Sequence, residues 1–190
     1  MSNHFYGYLS RMKNIYRWGL MRNSRPENLS EHSLEVAVIA HALAIIGNKR
    51  LGRNLNAEHI AGAARFHDTS EIITGDLPTP IKYYNPEIRT AYKQIESVAE
   101  EKLLSMLPED LREEYLPLYN VDGEEKRIIK TADKLSAYIK CIEETKAGNE
   151  EFRQALISTK NAVLDMKSKE AEIFLEEFIP SFSLPLDALN

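Results

Sequence analysis

Residues 29–46 read LSEHSLEVAVIAHALAII. On a helical period Leu34, Val36, Ala37, Val38, Ile39, Ala40, Leu43, Ile45 and Ile46 leave almost no polar face. That pattern marks a helix buried at the centre of a domain. Ser30 suits its N-cap, and Leu29 and Leu34 occupy the N′ and N4 positions of a hydrophobic staple. Gly47-Asn48 offers a stop. His32, in the first turn, shares a face with Val36, Ile39 and Leu43.

Outward from this helix the chain reads as helix throughout, without sustained apolar/polar alternation, repeats or low-complexity segments. Helices are predicted over about residues 3–15, from Asn56 to about Ile73, from Asn85-Pro86 to about Leu107, and from Asp122 through Thr145. Two more cover about 149–166 and 169–178. Ala61-Gly62-Ala63-Ala64 has little bulk, so a neighbouring helix can come close. Gly75 ends that helix, and Asp76-Leu77-Pro78-Thr79-Pro80 must be a loop because both prolines lack the N–H a helix needs. A short turn follows Pro108, Gly148 closes the long helix, and the tail from Pro180 is irregular. With short connections, the 190 residues make a single compact all-α domain of several helices.

Composition narrows the function. Apolar residues at 43% and charged residues at 28% describe an ordinary globular chain. A net charge of -5 and a pI near 5.6 argue against polymeric nucleic acid as a partner. A free nucleotide stays open, since one basic pocket can hold a phosphate. The single cysteine, Cys141, excludes an internal disulfide and suits a reducing compartment. Arg11, Lys13 and Arg17 are mixed with polar residues, so no signal peptide is expected, and no stretch approaches the roughly 20 apolar residues of a membrane helix. The expected setting is the cytoplasm, with no membrane partner.

The chemistry gathers around His67-Asp68, near the C-terminal end of the helix predicted from Asn56 to about Ile73. Together with His32 and Asp133 this pair supplies two nitrogens and two carboxylates, a donor set for one divalent cation that leaves a position open for water. Taken alone, each residue has a plainer reading: a solvated histidine, a chance dipeptide, or an Asp133 paired with Lys130 or Lys134. Asp133 lies mid-helix between Ile129 and Ala137 on one face, where an unpaired carboxylate is disfavoured. Glu71 falls one turn beyond His67, placed to move a proton. His4, His41 and His59 do not fit the ligand pattern. Arg17 offers a fork for phosphate and Trp18 a ring and an indole N–H for sugar or base. Asp76 in the stiff loop could accept from a sugar hydroxyl.

Leu9-Ser10-Arg11, Arg17-Trp18-Gly19-Leu20-Met21-Arg22-Asn23, Glu27 to Leu34, His67-Asp68-Thr69-Ser70-Glu71, Thr74 to Pro80 and Thr131 to Leu135 together carry a resemblance. The chain resembles the HD-domain superfamily of metal-dependent phosphohydrolases, and most closely the bacterial 5′-deoxynucleotidases. The match is weaker after about Gly148. The resemblance implies that His32, His67, Asp68 and Asp133 hold one divalent ion, with cobalt, manganese, copper or zinc as candidates. It implies that Arg17, Trp18, Asp76, Leu77, Pro78 and Thr79 bind a deoxyribonucleoside 5′-monophosphate, with His32, His67 and Asp133 also facing it. Glu71, with Asp68, would serve catalysis, and the protein would be a cytoplasmic homodimer. Asp76 would face the 3′-hydroxyl while close packing at C2′ rejects ribonucleotides. Two alternatives stand beside this reading. One is another HD phosphohydrolase, a phosphodiesterase or nucleotide pyrophosphohydrolase. The other is a nucleotide-binding helical protein without catalysis.

Overall fold

Helix α2 (Leu29–Leu51) is the axis of the fold. The computed structural model describes residues 3–82 and 84–189, and the side chain of Thr79 lies outside that description. Asn28, rather than Ser30, caps α2. Its Oδ1 accepts the Ser30 and Glu31 N–H groups at 3.0 and 3.1 Å, and Glu31 Oε2 accepts the Asn28 N–H in return. This reciprocal box places Ser30 inside the helix. The staple does not form: Leu29 is buried, but Leu34 is 64% exposed.

The helix also runs through Gly47-Asn48 and stops at Gly52, whose φ of 67° few other residues adopt. Gly47 has a different purpose, since a Cβ there would meet Arg53, Leu55 and Glu170 at 3.2 to 3.4 Å. Asn48 anchors the next loop, accepting the Leu55 N–H at 2.7 Å and donating to Leu55 O at 2.9 Å. With 23 residues and a hydropathy of 1.4, α2 is long and apolar enough to cross a membrane, nearer to such a span than the sequence suggested. Within this fold 56% of its apolar window is buried, the condition of a core helix.

Helices α3 (Ala57–Ala64) and α8 (Gly123–Lys146) pack on α2. Val36, Ile39, Ala40 and Leu43 meet Ile60, Ala63 and Ala64 from α3 and Ile128, Ala132, Leu135 and Ile139 from α8. Helices α9 (Arg153–Leu164) and α10 (Lys169–Glu177) lie against this core, α9 entered by a 3-10 turn at Glu150–Phe152. A smaller cluster of Phe5, Leu103, Leu104 and Leu107 joins α1 (Phe5–Leu9) to α6 (Pro86–Leu104). The helix predicted over 3–15 is therefore split, α1 giving way to a 3-10 turn at Ser10–Asn14. The tail forms 3-10 turns at Ile179–Ser183 and Leu186–Ala188.

The turn expected after Pro108 is instead α7 (Glu109–Tyr119). None of its residues is fully buried, and it carries Pro117 in its interior, a residue that argues against a helix there. Its Leu118 is the close neighbour implied by the small-residue run in α3: a Cβ at Gly62 would meet Leu118 Cδ2 at 3.3 Å. Among the described residues no strand forms, and one isolated bridge pairs Tyr16 with Asn28.

Candidate metal centre and substrate cavity

The helix carrying His67-Asp68 breaks just before the pair. Helix α3 ends at Ala64, not near Ile73, and tight turns lead to α4 (Glu71–Thr74). Side chains compete there for the helix carbonyls. His67 Nδ1 donates to Ala64 O at 2.7 Å and Thr69 Oγ1 to Phe66 O at 2.9 Å. A continuing helix would offer those carbonyls to the N–H groups of Asp68 and Ser70. The backbone closes instead through Thr69 N to Phe66 O and Glu71 N to Asp68 O.

The turn brings His67 and Asp68 to His32, at the start of α2, and to Asp133, midway along α8. One donor atom from each of the four lies within 4.8 Å of all the others. His32 Nε2 is 3.2 Å from Asp133 Oδ1 and 3.5 Å from Asp68 Oδ2, and His67 Nε2 is 3.1 Å from Asp68 Oδ2. Asp133 thus faces the histidines and not Lys130 or Lys134. His41 and His59 lie elsewhere, paired with Glu58 and Glu125.

The other ring nitrogens fix the orientation of the two imidazoles. His67 Nδ1 meets a carbonyl, which only accepts, so it carries a proton. His32 Nδ1 lies 3.0 Å from Ser136 Oγ, whose own proton goes to Glu35 Oε2 at 2.5 Å. His32 Nδ1 is therefore the donor to Ser136. Among the described residues, both Nε2 atoms are left buried and without a hydrogen-bond partner. Two such nitrogens among two carboxylates fit a divalent cation, with the outer bonds that usually orient histidine ligands. Burial works against the His67 imidazolium, but Asp68 and Asp133 outweigh it and lift the pKa to about 9. Burial also opposes the Asp133 charge, yet His32 brings its pKa down to about 2. Asp68 is likewise held well below the usual range, against burial, by His67 and His32. A cation would take the place of the proton that His67 otherwise holds.

A cavity of about 690 Å³ adjoins Asp133, lined by Arg17, Trp18, Asp76, Leu77 and Pro78 among others. Arg17 Nη1 donates to Asp68 Oδ2 at 3.3 Å, and its Nε lies 3.5 Å from Glu27 Oε2. The guanidinium therefore sits directly beside a candidate ligand. Trp18 has φ of 59°, a left-handed conformation that costs a bulky residue strain. Its indole N–H, expected to be free for sugar or base, donates to Glu27 Oε2 at 2.9 Å, and its ring lies 5.4 Å from that of Phe152. What Trp18 offers the cavity is its ring as a wall.

Asp76 is half-buried, and burial raises its pKa against the pull of Arg17. The proline-containing loop is shorter than predicted, because α5 (Thr79–Lys82) begins inside it. The expected substrate contact of the Thr79 side chain lies outside the described residues. Glu71 is buried and its Oε2 has no hydrogen-bond partner among the described residues. Burial, then Asp68 and Asp76, push its pKa up to about 9.

Three residues around the site escaped sequence reasoning. Ser136 and Glu35 orient His32, and Glu27 braces Arg17 and Trp18 together. A signal existed for two of them: Ser136 shares a helical face with Asp133, and Glu35 with His32. Glu27 lies in irregular chain, where no periodicity points to it.

Helices gathered around a His/Asp cluster define a class, the metal-dependent phosphohydrolases of HD type. An HD-domain phosphohydrolase from Listeria innocua is similar in structure, with a TM-score of 0.83 at 24% identity over 96% of this chain and 90% of that one. A cyanophage S-2L HD phosphohydrolase, solved bound to dA and one catalytic Zn2+ ion, matches with a TM-score of 0.62 at 20% identity over 92% and 96%. At these identities the likeness establishes the fold. A model of the YfbR-like 5′-deoxynucleotidase family matches residues 4–182. A 5′-deoxynucleotidase of Photorhabdus laumondii is 53% identical over 99% of this chain and 97% of its own length. The chain belongs to the YfbR-like 5′-deoxynucleotidase family.

Proposed function

We propose that this protein hydrolyses deoxyribonucleoside 5′-monophosphates to a deoxyribonucleoside and inorganic phosphate. The carrying observation is the cluster of His32, His67, Asp68 and Asp133, whose Asp133 lies in the wall of a cavity that also presents Arg17, Trp18 and Asp76. These four residues would hold one divalent ion, with cobalt, manganese, copper and zinc as candidates. Such an ion supplies Lewis acidity, acidifying water and neutralising phosphate charge.

The chain's own groups account for the remaining work. Arg17 pairs with phosphate oxygens, and the neighbouring Glu27 keeps its fork from collapsing wholly onto Asp68. Trp18, Leu77 and Pro78 form an apolar wall for the nucleoside. Asp76 accepts a hydrogen bond from the 3′-hydroxyl, and crowding at C2′ excludes ribose. Burial, Asp68 and Asp76 push the Glu71 pKa up to about 9, which suits it to give a proton to the departing 5′-oxygen. This is the general-acid role, a choice between acid and base that the sequence left open. The enzyme works as a homodimer in the cytoplasm, a setting that the buried, unpaired Cys141 suits.

Phosphate release from matched ribo- and deoxyribonucleoside 5′-monophosphates, with Co²⁺, Mn²⁺, Cu²⁺ and Zn²⁺ compared, tests the reading. Release from the deoxy series alone is expected. Release only from cyclic nucleotides or deoxynucleoside triphosphates would assign the site to a phosphodiesterase or pyrophosphohydrolase instead.

A further inference from the structure

A second cavity, of about 430 Å³, reaches the same cluster from another side, and Asp133 is the one residue common to the two linings. Its inner wall is His67, Asp68 and Asp133, and it also carries Lys93 from α6 and Lys126 and Lys130 from α8. Lys126 and Lys130 stand one helical turn apart on one face. Two further carboxylates, Glu96 and Glu100, share the lining with these cations. Glu96 accepts from Lys82 Nζ at 2.8 Å. The pKa of Glu100 is raised by burial and by Glu96, against the pull of Lys126. Lys130 has no ion pair among the described residues. Burial, and then Lys126, Lys93, Arg89 and Lys134, make its charge harder to keep.

A chain of net charge -5 that gathers cations at one mouth of its metal centre bears a repulsion that an anion would offset. The first cavity has the apolar wall and sugar-binding carboxylate suited to a nucleoside. In-line displacement puts the entering oxygen and the leaving nucleoside on opposite sides of phosphorus. With the nucleoside in the first cavity, the phosphoryl oxygens are free to turn toward the second.

We propose that the lysine-rimmed cavity binds inorganic phosphate and lets it leave the metal centre while the nucleoside still occupies the first cavity. This rests on the phosphomonoesterase reading above. The three lysines are exposed, so their replacement leaves the core intact.

Two measurements on the full chain test the proposal. The first is inhibition of dAMP hydrolysis by inorganic phosphate and, separately, by deoxyadenosine. In Lys126→Ala/Lys130→Ala the inhibition constant for phosphate should rise about tenfold or more, the equivalent of about one charge-assisted contact, while that for deoxyadenosine stays the same. Lys102→Ala, the loss of one lysine charge on α6 outside the cavity, should move neither. An unchanged phosphate constant in the double variant overturns the proposal, and so does an equal rise in Lys102→Ala. The second measurement is calorimetric titration of phosphate into protein without metal. Binding that weakens in the double variant supports the site, and no binding by the wild-type protein overturns it. A wild-type protein that binds phosphate but hydrolyses no nucleotide would keep the anion site and lose the function proposed above.

Discussion

Glu71, the proposed general acid, shows how surroundings change the chemistry of a single residue. An exposed glutamate is ionised at neutral pH, whereas here burial, Asp68 and Asp76 raise its pKa to about 9. Glu71→Gln should lower kcat by roughly 10²–10⁴, the usual range for a lost general acid, with metal content unchanged. A group that acts in its protonated form loses effect as pH rises through its pKa. The wild-type rate should therefore decline on the alkaline side, at a pH drawn below 9 by the bound cation, and Glu71→Gln should lack that limb. Ser136 acts at one remove, as the acceptor that fixes the His32 ring. Ser136→Ala should weaken metal affinity by about 10- to 100-fold, the usual cost of losing an outer partner. Isothermal titration would read this directly, and activity should return at high metal concentration. Of these residues Glu71 was singled out in the sequence by its spacing to His67, on a helix that the structure breaks at Ala64. Its raised pKa was not legible there, because burial belongs to the assembled fold.

At the scale of elements, the structure departs from expectation where side chains redirect the backbone. His67 and Thr69 break the α3 helix by taking its carbonyls, and Asn48 holds a loop while its own helix continues. Gly and Asn signalled a stop within α2, yet close packing explains Gly47 better. The joint between α8 and the irregular chain before α2 depends on one buried carboxylate. Glu144 accepts from the N–H groups of Ser24 and Arg25 at 2.8 and 3.2 Å, and from Lys140 Nζ and Asn149 Nδ2 at 2.5 and 2.8 Å. Glu144→Ala should destabilise the fold by about 3–5 kcal/mol, since it leaves the buried Lys140 without its partner. The melting temperature should then fall by on the order of 10 °C. These donors, against burial, hold the Glu144 pKa far below its ordinary value of 4.5. Its contribution is thus complete above that ordinary value and is lost as pH falls toward the folded one. Acid should destabilise Glu144→Gln less steeply than the wild-type protein, as followed by circular dichroism.

Across the whole molecule, α2 presents one unexplained face. Leu34, Val38 and Ile45 are 64%, 61% and 40% exposed along it, although the sequence pattern placed them in a fully buried helix. A second copy of the chain packed on this stripe would account for their apolar character and would form the homodimer proposed above. Val38→Glu should convert the dimer to a folded monomer, measured by light scattering on a sizing column. A monomeric wild-type protein would refute this interface. The overall charge belongs to the same scale: at -5 the chain suits a small anionic substrate met in local basic pockets rather than a nucleic-acid backbone.

The sequence by itself determined the helical class and the chemistry of the donors. Apolar period and residue type are local properties, and His32, His67-Asp68, Asp133 and Glu71 carry their chemistry wherever the chain puts them. Only the tertiary structure decided how these groups behave. Bringing α2, the turn after α3 and α8 to one point set the distances among four donors and left two imidazole nitrogens unpartnered. It occupied the Trp18 indole with Glu27 and raised the pKa of Glu71. It also opened two cavities on a single centre. Each of these depends on contacts between residues far apart in the chain, and burial, orientation and pKa follow from such contacts rather than from local pattern.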